Sequence, residues 1–141
     1  MVAVSEDYLA FLHDELSENQ TRLSQLLGDS GSKAVFSFFS DRLVSTVEAG
    51  RYASDPLEGI VQKLKGWGMA VSKKEKGNAV EIGVKCPIAE KVHPRMASKE
   101  PRCPLGEYIL GAVRLEASKS QLLHNSLKED GVELLIERSD G

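Results

Sequence analysis

The chain has 141 residues, 41% hydrophobic and 28% charged, with a net charge of −3. That is enough for one domain with its own core, and it excludes disordered and fibrous classes. The cations are interspersed among Asp and Glu, no apolar run approaches the ~20 residues a membrane span needs, and the N-terminus lacks a signal-peptide pattern. The expected protein is therefore soluble and cytoplasmic, with no direct nucleic-acid binding and no membrane contact. Its two cysteines are expected as thiols or ligands rather than a disulfide.

Ser5 followed by Glu6 and Asp7 reads as a helix cap with first-turn acids, opening a helix to about Leu27. Leu9, Leu12, Leu16, Asn19, Leu23 and Leu26 recur at spacings of 3, 4, 3, 4 and 3, a heptad seam with one asparagine in it. Two readings stand. The helix lies on its own domain, or it pairs with its copy in a second subunit, Asn19 setting the register of a homodimer. Gly28, Asp29, Ser30 and Gly31 are expected to break the helix, which divides the chain into a segment 1–29, a possible dimerisation element, and a domain 30–141.

A second helix is predicted from Ser32 to Ala49, with Val35, Phe38, Phe39, Leu43 and Val47 as its apolar stripe and Gly50 as its stop. Phe36, Phe38 and Phe39 are either core or the wall of an apolar pocket. A third helix starts at Asp55-Pro56, carries Leu57, Ile60, Val61 and Leu64, and ends at Gly66-Trp67-Gly68. Trp67, in phase with Ile60 and Leu64, is expected to be buried and counts with the phenylalanines as a candidate ligand contact. The period then changes to 2: Met69 and Val71, a turn at Lys76-Gly77-Asn78, then Val80, Ile82 and Val84 form a β-hairpin with one wet face. Residues 86–104 look irregular. A helix over Leu105–Ala117 follows, and strands near Gln121–Leu127 and Val132–Arg138 close the chain. The fold class is α+β: N-terminal helices packed on an antiparallel sheet of two hairpins, with a helix between the hairpins.

The proline-rich stretch holds Cys86, His93 and Cys103. Two thiolates and an imidazole suit Zn²⁺ or iron, with Glu90, His124 or water as a fourth ligand. Cys103 precedes a helix, whose dipole would favour a thiolate. An unligated pair, redox-active or merely packed, and a haem or an iron–sulfur cluster are the other readings. His13, off the leucine seam, and His124 read as surface. There is no Gly-x-Gly-x-x-Gly and no phosphate loop, and Cys with His93 and Glu90 lacks a catalytic signature, so a binding domain is expected before an enzyme.

The element order, Gly66-Trp67-Gly68 before the first hairpin and Cys103-x7-Gly111 in the following helix resemble the 4-vinyl reductase domain family over roughly residues 30 to 138. That resemblance implies an α+β ligand-binding domain that usually dimerises. Its members occur in regulators responding to aromatic compounds and redox state and in tetrapyrrole biosynthesis, and it is similar to vesicle-tethering subunits. Many members carry a cysteine after the first hairpin and two more in the last, thought to form a metal or redox site. Cys103 stands at the first position, and Leu127 and Leu135 at the others. A family-type metal site here requires Cys86 and His93 as replacements, whereas a pocket for an apolar or aromatic small molecule does not depend on them. No DNA-binding segment is read in the chain, which is expected to act alone or through a partner.

Overall fold

The computed structural model describes residues 4–45, 54–97 and 102–140. Within them the chain runs α1 (Glu6–Ser45), α2 (Pro56–Gly66), β1 (Ala70–Lys76), β2 (Ala79–Lys85), a short α3 (Ala89–Val92) followed by one 3-10 turn (His93–Arg95), α4 (Pro104–Glu116), β3 (Gln121–Leu127) and β4 (Gly131–Glu137). The class is α+β. The four strands form an antiparallel sheet in the order β1-β2-β4-β3, so the second strands of the two hairpins pair at its centre.

Local chemistry accounts for most of these elements. Asp55 caps α2 by accepting from the Glu58 amide at 3.1 Å, and Pro56 occupies the first turn, where no N–H is needed. Gly77, at φ 63°, makes the hairpin turn between β1 and β2. Strict alternation puts Val80, Ile82 and Val84 opposite Ile136, Leu134 and Val132 on one face of β2 and β4. On that face α2 brings Leu57, Ile60, Val61 and Leu64, and α4 brings Ile109, Leu110 and Val113, to build the core.

Helix α1 lies outside this layer, across α4 and α2. The break foreseen over Gly28–Gly31 is there: two helical segments of α1 meet at a kink made by Gly28, at φ 66° and ψ −176°. Gly31 is needed one turn on, since a Cβ there would lie 2.5 Å from that of Leu27. Of the apolar stripe foreseen for the second segment, Val35 is half-buried. Phe38 is exposed, while Ser32, Phe36 and Ser40, spaced by 4, are buried toward α4. The side chains of Phe39 and Leu43 lie outside the described residues, as does Val47 altogether. Ser40 is small because α4 presents Gly111 beside it, where the two backbones approach closely. Finally, residues 86–104, expected as irregular, contain α3 and the 3-10 turn.

Trp67 is also corrected. It is the C-cap residue of α2, and the helical phase ends with Gly66. Gly68, at φ 91°, turns the chain so that the Met69 amide bonds the Leu64 carbonyl at 3.1 Å, and the indole swings outward. It is 53% exposed, with Lys63 Nζ 5.5 Å from the ring centroid. Trp67→Ala therefore costs at most about 1 kcal/mol, the scale of an exposed cation–π contact, not the several kcal/mol of a core tryptophan. Chemical denaturation measures the difference, and native emission at a water-exposed wavelength is the accompanying sign.

Candidate functional site

The face that α1 turns toward its own domain is not the leucine seam. It is Ala10, His13, Ser17 and Gln20, spaced by 3, 4 and 3. Ser17 Oγ accepts from the Arg102 amide at 3.2 Å, and Gln20 Nε2 donates to the Pro104 carbonyl at 2.9 Å. Ion pairs from Arg95 to Glu6 at 3.0 Å and Asp7 at 2.8 Å tie the start of the helix to the 3-10 turn. Beside these contacts lies a cavity of about 190 Å³ between α1, α4 and the ends of the central strands.

The cavity wall is mainly apolar, with Leu16, Met69, Val84, Ile88, Leu105 and Val132. Five polar side chains share it: His13, Cys86, His93, Cys103 and Tyr108. The β3–β4 hairpin positions the cysteines. The Cys86 amide donates to the Asp130 carbonyl at 2.9 Å, and Asn125 clamps Cys103 by accepting from its amide and donating to its carbonyl, each at 3.3 Å.

The histidines are oriented in the same way as each other. His13 Nδ1 lies 3.2 Å from the Leu9 carbonyl and His93 Nδ1 lies 2.8 Å from the Lys128 carbonyl. A carbonyl only accepts, so Nδ1 carries the proton in each ring, and Nε2 of the neutral imidazole is an acceptor. Burial holds His13 below the ordinary histidine range; its Leu9 bond opposes this and the neighbouring His93 adds to it. Because the folded-state pKa is depressed, the unfolded chain takes up the proton more readily. The stability contributed by neutral His13 is complete above about pH 6.5 and is lost as the pH falls through the folded-state value. In thermal melts the native chain should lose stability more steeply than His13→Leu as the pH falls below 6.5.

Burial pushes the Cys103 thiol up to about 11, with weaker opposition from the Leu105 and Gly106 amides. The expectation that the dipole of the following helix would favour its thiolate is thus reversed: desolvation of the charged form outweighs the helix end.

Cys86, His93 and Cys103 line this one cavity. Among the described residues no group of three or more His, Cys, Asp or Glu side chains is arranged to hold a metal ion. Glu90 and His124 are exposed and line no part of the cavity. Of the aromatic candidates, Phe36 lines a separate cleft, and Phe38 and Trp67 are on the surface. His13, expected on the surface, is half-buried in the cavity. The signal that could have found it is the second stripe of α1, Ala10-His13-Ser17-Gln20, whose small and polar residues run parallel to the leucines.

This chain has the fold of a phenol-responsive sensory domain. The solved structure is that of the sensory domain of the transcription activator PoxR with phenol; it superposes with a TM-score of 0.50 at 15% identity, over 98% of this chain and 76% of that one. No known protein family and no curated protein matches the sequence. Among the described residues no helix is long and apolar enough to cross a membrane.

Proposed function

We propose that this chain is a small-molecule-binding sensor domain whose ligand is a small, largely apolar molecule carrying a hydroxyl, such as a hydroxylated aromatic. The observation that carries this reading is the pairing of an apolar cavity with two imidazoles whose Nδ1 atoms are already engaged. A hydroxyl donor matches an imidazole acceptor, and the remaining apolar wall suits a ring. At about 190 Å³ the cavity is smaller than the ~300–1,000 Å³ that takes drug-sized ligands, which points to a single-ring compound. The shared fold with a phenol-responsive domain, and the resemblance to 4-vinyl reductase domains, agree with it. Calorimetry with phenol and toluene tests it: phenol binds saturably and toluene, of the same shape without the donor, binds more weakly. Equal binding of the two, or none of either, overturns the reading.

The same reading has the protein working as a homodimer through the leucine seam. Leu12, Leu16 and Leu26 are exposed on α1, together with Tyr8 and Phe11, because the helix rests on its domain through Ala10 and Ser17 instead. Exposed leucines and aromatics along one helix are what a second copy of the same helix would cover. Light scattering at tens of micromolar should give a dimer, and Asn19→Leu should raise its melting temperature while loosening oligomer specificity. A monomer under those conditions removes this part of the proposal and leaves the cavity untouched.

A second reading is a metalloprotein using Cys86, His93 and Cys103, with zinc or iron. It is favoured by their lining one cavity and by the His93–Lys128 carbonyl bond, which leaves Nε2 available as a ligand. Elemental analysis of protein purified without added metal decides it. A stoichiometric metal lost on Cys103→Ser supports a metal centre, and a metal-free protein that binds phenol supports the sensor alone.

A further inference from the structure

A larger cleft lies on the other side of α1, between its kink and α4, and shares no lining residue with the apolar cavity. Its volume is about 570 Å³, and its character is opposite: serines and cations replace the aliphatic wall. We propose that this cleft binds a small organic oxyanion of the phosphate-monoester type, held by Lys33, Arg114 and Lys119 and by the hydroxyl of Ser32.

Three observations converge on an anion. Ser32 is 5% exposed, and its hydroxyl is the buried side-chain polar atom that has no hydrogen-bond partner among the described residues. A buried hydroxyl in a native fold is normally satisfied, and one left open beside a polar cleft is accounted for by a bound group that satisfies it. Lys33 and Lys119 join no salt bridge among the described residues, although eight such bridges occur elsewhere on the surface. Arg114 is braced from behind, its Nε donating to the Ser120 carbonyl at 2.9 Å, so its two terminal nitrogens remain for a ligand. One carboxylate, Glu107, also lines the cleft, at its junction with a neighbouring polar space near Arg102. Three cations thus share the cleft with one carboxylate, whose pKa burial raises against the opposing pull of Arg114 and Arg102.

The kink contributes as well. Gly28 restarts the helix, so Ser30 and Ser32 fall in the first turn of a segment that runs to Ser45. The positive end of that segment's dipole adds to the lysine and arginine charges where an anion would sit. Glu107, at the far side, would take the hydroxyl or amine end of a ligand whose oxyanion lies near Lys33.

Inorganic phosphate is the probe, titrated into the isotopically labelled full chain against chloride at matched ionic strength. Saturable amide shifts are expected at residues 30–33 and 118–119, with Lys33→Ala/Lys119→Ala weakening binding about tenfold. Ser32→Ala gives the independent check. It loses no internal hydrogen bond, so the chain should stay as stable as the native one, while phosphate binding weakens. Shifts that do not saturate, or that persist unchanged in both variants, mean an adventitious ion only and overturn the proposal. Phenol binding in the same variants should be unaltered, because the two sites are separate.

Discussion

Gly111→Val is expected to destabilise the fold by about 3 kcal/mol, at the upper end of the cost of overpacking a close contact. A Cβ at Gly111 would stand 2.6 Å from the Phe36 carbonyl oxygen and 3.0 Å from its carbon, and would also strike Ser40 Oγ. The clash is with backbone, which cannot rotate away as a side-chain tip can. Relief requires α1 to lift from α4, and that stretches the bond from Ser40 Oγ to the Tyr108 carbonyl, 2.5 Å in the native packing. Urea denaturation of Gly111→Val and Gly66→Ala makes a matched comparison. Nothing lies within 4 Å of a Cβ at Gly66, so that change should be neutral or stabilising by ~0.4–1 kcal/mol, through lower entropy of the unfolded chain. Similar costs for the two would refute the close α1–α4 crossing. Because α1 carries His13 into the cavity, Gly111→Val should also weaken phenol binding without touching any cavity residue.

His13→Leu is expected to reduce phenol affinity about 10- to 100-fold and to leave toluene binding equal or better. The substitution keeps the bulk of the wall and removes the Nε2 acceptor, so a buried hydroxyl loses its partner while a bare ring gains apolar surface. His93→Leu should do the same if the ligand hydroxyl lies between the two rings, and a unilateral effect identifies the contacting imidazole. The pH dependence follows from the same chemistry. Protonating His13 converts its acceptor into a donor, so phenol binding should fall on acidification below about pH 6.5 while toluene binding changes little. Equal losses for phenol and toluene in His13→Leu would assign the residue to packing alone.

Much of the secondary structure was legible in the chain because it depends on local chemistry. The Asp55-Pro56 start of α2, the Gly77 turn, the alternation through Val80, Ile82 and Val84, and the strand at Gln121–Leu127 are each set by near neighbours, and the structure has them where their residues predict. The α+β class follows from the order of those periods. Other properties were not legible, because hydrophobic periodicity reports an apolar face without naming what covers it. The leucines of α1 made the stronger pattern, yet the helix docks through Ala10, His13 and Ser17, and its second half through Ser32 and Ser40, since α4 offers a glycine at the crossing. Trp67 kept helical phase with Leu64 in sequence, but the chain turns at Gly68 before that phase can bury it. The cavity is still more remote from local rules. It gathers His13, Cys86, His93, Cys103 and Tyr108 from α1, the end of β2, the 3-10 turn and α4. Cys86 and Cys103 could be grouped from one proline-rich stretch, whereas His13, some seventy positions earlier, reaches them only because α1 folds back over α4. That long-range approach also sets the chemistry: desolvation lowers the pKa of His13 and raises that of Cys103, and desolvation is a property of the assembled fold that no residue carries in its own sequence neighbourhood.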